Sequence, residues 1–191
     1  MAMDHRSQYH FFNNVLSTDF CKRVDRYIDG LPLKKGSVGG DTDQVIRDDI
    51  RRTYVYLYEF IHAKDGIERE ICLELFRICM MVNYNDWNFK MDLNNFTIQL
   101  TRYSADEEGT YDWHEDDDLF KKGFYRKISM SCVIKNCDEG GEFMLDGGCE
   151  SFNQEEGSVI VFPSFSRHKV SPVKRGTRTS IVAWFYGPEW S

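Results

Sequence analysis

The strongest constraint on the fold is an alternation that begins at Phe96. Phe96-Thr97-Ile98-Gln99-Leu100-Thr101-Arg102-Tyr103 alternates largely between apolar and polar side chains, and similar patterning returns in residues 126–135, 158–162 and 177–186. A period of two is the mark of strands with one face on a core. Turn signals separate the runs: Gly109, residues 136–140, and Gly157. Shorter runs at 111–115, 141–145 and 167–170 bring the set to seven or so strands. Short strands at near-regular spacing predict an antiparallel sandwich or jelly roll.

The first half reads differently. Residues 8–16 suggest a short strand, and Ser17-Thr18-Asp19 then offers a helix N-cap. Phe20, Val24, Tyr27, Ile28 and Leu31 recur at helical spacing until Gly30 and Pro32 stop the helix. Residues 33–50 are polar and glycine-rich, which fits a mobile connector or a lid over a pocket. Residues 51–60 are aromatic and β-branched and predict a strand. Asp65-Gly66 opens a second helix whose stripe is Ile67, Ile71, Leu75, Ile78, Cys79 and Val82. That helix should pack across the outside of a sheet. The expected fold is mainly β with flanking helices: a double-stranded β-helix (jelly roll) core packed by two N-terminal helices. The expected organisation is one domain over 1–191, with 1–95 as helical support and loop and 96–188 as the catalytic core.

Charge and cysteine usage narrow the function. The formal net charge is −7, which argues against nucleic acid as the main partner. No stretch is apolar for long enough to span a bilayer, and the first residues lack an apolar segment, so a cytoplasmic protein is expected. Six cysteines without a CxxC pair should then be free thiols. Cys72 and Cys79, seven apart, fall on one helix face as small core residues.

The chemistry centres on Tyr111-Asp112-Trp113-His114-Glu115-Asp116. On a strand, His114 and Asp116 point the same way and can converge on one ion. His168 follows some fifty residues later, behind the run ending Phe162-Pro163, and Arg178 lies on the next strand. Each signal alone is weak. A lone histidine is usually structural, and the run Asp116-Asp117-Asp118 could be a solvated turn. Two histidines and one carboxylate in this order, however, form the ligand set of non-haem Fe(II) oxygenases.

The combined motifs resemble the prolyl 4-hydroxylase-like branch of the Fe(II)/2-oxoglutarate dioxygenases, including PKHD-type hydroxylases. They are Tyr103, the Tyr111–Asp116 run, Gly140-Gly141-Glu142, Val161-Phe162-Pro163, and the stretch from His168 through Pro172 and Gly176 to Arg178. The resemblance covers roughly residues 96–188. It implies Fe(II) held by His114, Asp116 and His168. It implies 2-oxoglutarate and O2 as co-substrates, with ascorbate as an auxiliary. Arg178 would clamp the distal carboxylate of 2-oxoglutarate bidentately, and Tyr103 would reach the same group or else be a core tyrosine. The implied reaction is hydroxylation of a prolyl residue in a peptide or protein, of the procollagen-proline 4-dioxygenase type, coupled to decarboxylation of 2-oxoglutarate to succinate and CO2. Arginine rather than lysine at 178 fits the oxygen-sensing and PKHD-type members better than the collagen type. Lys174 and Arg175 should face solvent, Trp113 should be core, and Trp184 walls either pocket or core.

Other readings stay open on the sequence. The same centre could hydroxylate a free amino acid or another small molecule. The fold could also serve as a non-catalytic binding module, or as a nucleic-acid demethylase, which the acidic balance disfavours.

Overall fold

In the computed structural model, residues 7–39, 44–117, 119–121, 123–146 and 154–189 are described, with the backbone alone at 119–121. Part of the 33–50 loop and Cys149 lie outside these residues. The strands are β1 (His10–Phe12), β2 (Lys34–Lys35), β3 (Arg51–Arg52), β4 (Tyr54–Glu59), β5 (Phe96–Ser104), β6 (Thr110–His114), β7 (Leu119–Lys121), β8 (Phe124–Lys135), β9 (Glu139–Gly140), β10 (Phe143–Leu145), β11 (Val159–Pro163), β12 (His168–Val170), β13 (Val173–Arg175) and β14 (Thr177–Pro188). The helices are α1 (Thr18–Asp29) and α2 (Gly66–Val82).

The major sheet has the order β1-β11-β8-β14-β5-β4-β2, with β7 paired to β8. The minor sheet has the order β10-β12-β6-β3. All the pairings are antiparallel. This is the expected jelly roll. Strands from the first half of the chain extend both sheets: β1, β2 and β4 join the major one and β3 the minor one.

Period-two patterning decides what each face of the major sheet meets. Phe96, Ile98 and Leu100 of β5, Ile128, Met130 and Cys132 of β8, and Ile181, Ala183 and Phe185 of β14 are buried in one cluster with the helices. α1 supplies Phe20, Val24 and Ile28, and α2 supplies Ile71, Leu75, Ile78 and Val82. Ser17 caps α1 by accepting the Phe20 N–H, and Gly30 ends it. Leu75 is fully buried there, so Leu75→Ala is expected to cost about 2–5 kcal/mol. A urea-unfolding midpoint measures it.

The opposite parity faces the minor sheet. Tyr103, Ile160 and Phe162 pack there with Phe143, Leu145, Val170 and Val173. The inward set of β14 is Arg178, Ser180, Val182 and Trp184, and that of β5 is Gln99, Thr101 and Tyr103. The site therefore lies between the sheets because the alternation puts these residues there.

Two local expectations differ from the structure. Residues 51–60 do not form one strand. The chain breaks at Thr53, β3 pairs with β6, and β4 pairs with β5. Nor is the 33–50 segment wholly irregular: Lys34–Lys35 pairs with β4, and Val38 bridges Val45. Among the described residues the cysteines are unpaired, and Cys72 and Cys79 are fully buried. No helix among them is long and apolar enough to cross a membrane.

Candidate active site

β6 and β12 pair so that His114 stands directly opposite His168. Asp116 follows two residues after His114, its N–H donating to the Ser164 carbonyl at 2.8 Å. One ligand atom from each of His114, Asp116 and His168 lies within 4.8 Å of the others. The His168 Nε2 is 3.5 Å from Asp116 Oδ2, and the His114 Nε2 is 3.8 Å from Oδ1. His168 and Asp116 are buried, and His114 is partly so.

Backbone carbonyls fix both rings. His114 Nδ1 lies 2.7 Å from the Asp112 carbonyl, and His168 Nδ1 lies 2.9 Å from the Ser166 carbonyl. A carbonyl only accepts, so each Nδ1 carries the proton. Each Nε2 then presents its lone pair to the other ligands, the arrangement that orients metal-binding imidazoles. Phe143 and Phe162 wall His168, and Tyr111 stacks on His114 at 3.5 Å between centroids.

The carboxylate is held as firmly. Ser129 Oγ donates to Asp116 Oδ2 at 2.8 Å, so the hydroxyl of Ser164, 2.9 Å away, donates to Ser129. Sequence reasoning missed this pair. Ser129 is legible only as the inward parity of β8. Ser129→Ala is expected to weaken divalent-metal affinity about 10-fold or more. A metal titration by calorimetry measures it.

Burial and neighbouring charges set the protonation states. Burial opposes ionisation of Asp116, but His168, His114 and Arg126 hold its carboxyl at about 2. The Trp184 indole helps to lower it, although its Nε1–H finds no acceptor in hydrogen-bonding geometry. Burial, followed by the His168 neighbour, pushes His114 down to about 4. Both ligands thus keep the deprotonated form that metal binding needs. Below about pH 6.5 the unfolded His114 takes a proton that the folded site refuses. The metal-free protein should therefore lose up to about 3 kcal/mol through this residue as pH falls from 7 to 4. Urea unfolding of the parent and of His114→Gln at both pH values checks this; the variant's drop should be smaller.

Arg178 and Tyr103 form a direct cross-strand pair. The guanidinium is 1% exposed, yet among the described residues its Nε and Nη1 have no hydrogen-bond partner, and Nη2 reaches only the Gln154 amide oxygen at 3.5 Å. Its carbon lies 5.6 Å from the Tyr103 ring centre. Gly141 makes room for it: the residue has φ +70°, and a Cβ there would lie 3.1 Å from Arg178 Cδ. A buried cation without an anion is an unfinished site. Arg178, Tyr103, His114, Asp116 and His168 all line one cavity of about 30 Å³. The donor set suits Fe(II), and the orphaned guanidinium suits a carboxylate, so the residues present fit the metal and a keto acid together.

Residues 98–186 match the model of the 2OG-Fe(II) oxygenase superfamily. The match falls on the jelly-roll segment and covers just under half of the chain. The chain is similar to PKHD-type hydroxylases. That of Synechococcus sp. (strain CC9605) is 34% identical over 93 residues, covering 46% of this chain and 40% of that protein. That of Gloeothece citriformis (strain PCC 7424) is 31% identical over 93 residues, covering 46% of this chain and 42% of that protein. The match thus spans well under two thirds of these curated relatives. Solved structures share the fold across nearly the whole chain. A Pseudomonas putida prolyl-4-hydroxylase superposes with TM-score 0.73 at 17% identity, covering 95% of this chain and 94% of that one. A Trichoplax adhaerens prolyl hydroxylase, solved with a hypoxia inducible factor oxygen degradation domain peptide fragment, gives 0.73 at 15% identity, covering 94% and 83%. The name of that superfamily specifies Fe(II) and 2-oxoglutarate, the pair that the residues of this cavity fit.

Three sequence expectations concern residues around the site. Lys174 and Arg175 are exposed, as expected. Trp184 is 6% exposed and lines the cavity. Trp113 is not core: it is half-buried beneath two cations, Arg167 at 5.4 Å and Lys169 at 4.8 Å. The alternation that turns His114 inward turns Trp113 to the outer face of the minor sheet, where cationic side chains cover it.

Proposed function

We propose that the protein hydroxylates a prolyl residue of a peptide or protein, with 2-oxoglutarate leaving as succinate and CO2. The observation that carries this reading is the orphaned Arg178 guanidinium in the same cavity as the two histidines and Asp116. In this reading His114, Asp116 and His168 hold Fe(II), and Arg178 with Tyr103 holds the distal carboxylate of 2-oxoglutarate. The bound metal, keto acid and O2 supply the oxidising power to hydroxylate an unactivated C–H bond.

The chain's own residues supply the rest. The Asp112 and Ser166 carbonyls aim the imidazoles. Ser129 fixes the carboxylate. Phe143, Phe162 and Val170 exclude water from the inner cavity. A second, outer groove of about 430 Å³ meets this cavity at Gln99, Tyr111, Asp116 and Trp184.

Mass spectrometry of a panel of proline-containing peptides, with free proline alongside, tests the proposal. Reactions contain Fe(II), ascorbate and 2-oxoglutarate. Gain of one oxygen atom on a peptide proline, absent with His168→Ala, is the expected result. Oxygen gain on free proline alone would move the substrate to small molecules. Succinate formation without oxygen gain on any proline would discard the prolyl substrate.

A further inference from the structure

The outer groove leaves another buried cation unexplained. Arg51 is 7% exposed, and its guanidinium carbon lies 4.6 Å from the Tyr111 ring centre. Tyr111 stacks in turn on His114, so Arg51 stands one aromatic ring away from the metal ligands. Its hydrogen bonds go to neutral acceptors. Nε donates to the Thr53 hydroxyl at 3.0 Å, Nη1 to the Ser37 carbonyl at 2.8 Å, and Nη2 to the Gln99 amide oxygen at 3.2 Å. A guanidinium has five N–H groups, so one remains on each terminal nitrogen. No carboxylate pairs with it among the described residues. The chain is built around this position: a Cβ on Gly36 would fall 2.6 Å from Arg51 Nε and 2.4 Å from Thr53 Oγ1. Neutral dipoles alone leave a buried charge under-compensated.

Arg51 lines the outer groove together with Lys34, Lys35, Arg126, Glu115 and Asp116. Lys35 is paired with Asp48 at 3.0 Å. Arg126 lies over the Trp184 ring at 4.3 Å. Asp116 is committed to the metal ligand set, and Glu115 is exposed, with no ion pair to Arg51 among the described residues. Among the described residues the groove lining thus carries more cations than carboxylates, on a chain whose net charge is −7.

We infer that Arg51 is the centre of a carboxylate subsite in the outer groove, so that the substrate carries a carboxylate beside the residue it presents to the metal. The reaction at that residue rests on the proposed hydroxylase function; the binding does not. Two sources share this chemistry, an acidic side chain next to the target residue and a terminal carboxylate just after it. The exposed Lys34 at the groove strengthens the attraction and sets its salt dependence.

The test is peptide binding to the full chain loaded with Zn(II) and 2-oxoglutarate, which holds the site without turnover. Three labelled peptides are compared by fluorescence anisotropy: a capped Asp-Pro peptide, its Asn-Pro counterpart, and the Asn-Pro peptide ending in a free carboxylate after proline. At least one carboxylate peptide should bind about tenfold tighter than the capped Asn-Pro peptide. Arg51→Gln should remove that advantage, and Arg51→Lys should keep most of it. Gly36→Val should also remove it, because its side chain displaces the guanidinium. Lys34→Ala lies on the exposed strand β2 and should reduce the advantage two- to threefold with the fold intact. Equal binding of all three peptides would overturn the inference, as would an advantage that survives in Arg51→Gln. If Arg51→Gln does not fold, an advantage unchanged in Gly36→Val overturns it instead. Carboxylate-dependent binding without oxygen gain on the bound peptide would keep the subsite and discard the hydroxylase reading.

Discussion

Arg178→Met is expected to cut 2-oxoglutarate-dependent turnover by at least about hundredfold, while the metal-free protein stays as stable as the parent or becomes more so. The two effects separate because the guanidinium is 1% exposed and its Nε and Nη1 have no partner among the described residues. Burial already lowers its pKa, the sign of an environment hostile to the charge. A carboxylate arriving there would gain two charge-assisted hydrogen bonds of about 1.5–3 kcal/mol each, or about two to four powers of ten in binding. Methionine fills a similar volume without the charge, so removing the cation relieves a desolvation cost of several kcal/mol. Steady-state kinetics in 2-oxoglutarate and urea unfolding read the two halves. A destabilised variant with unchanged affinity for 2-oxoglutarate would mark Arg178 as a structural cation.

The second large effect belongs to the metal ligands. His168→Ala should lower bound iron below a tenth of an equivalent and turnover by about a thousandfold or more. Removal of one of three ligands leaves the ion two protein contacts and an open side. The His168 ring also fills space between Phe143, Phe162 and His114. The variant should therefore lose about 1–3 kcal/mol of stability, measured without metal. Metal analysis after dialysis, beside a turnover assay, checks both. Iron retained at one equivalent would remove His168 from the ligand set.

Much of this was legible in the sequence because period-two patterning is a local property. The alternation in β5, β8, β11 and β14 fixes which side chains turn inward, and His114-x-Asp116 is convergent wherever a strand carries it. The amphipathic stripes of α1 and α2 named their buried residues for the same reason. What was missed depends on long-range pairing. The run 51–60 looks like one strand, yet Arg51–Arg52 belongs to the minor sheet and Tyr54–Glu59 to the major one. No local signal marks Thr53 as the crossing point. The crossing is what brings Arg51 opposite Tyr111 and into the groove. Ser129 was invisible for a related reason, because an inward serine becomes a positioning group only when another segment places Asp116 beside it. Trp113 shows the limit of parity alone. Alternation correctly turned it away from His114, but that side of the minor sheet carries cations and not a second core.

In the proposed function one cavity holds a metal through His114, Asp116 and His168 and a dicarboxylate through Arg178. The most direct measurement is an anaerobic calorimetric titration of the metal-free protein with Fe(II), followed by 2-oxoglutarate. One equivalent of each is expected, with 2-oxoglutarate binding tightly only after the metal. Asp116→Ala is expected to abolish the first step and Arg178→Met only the second. Binding of 2-oxoglutarate at full affinity to Arg178→Met, or of iron to Asp116→Ala, would contradict the proposal.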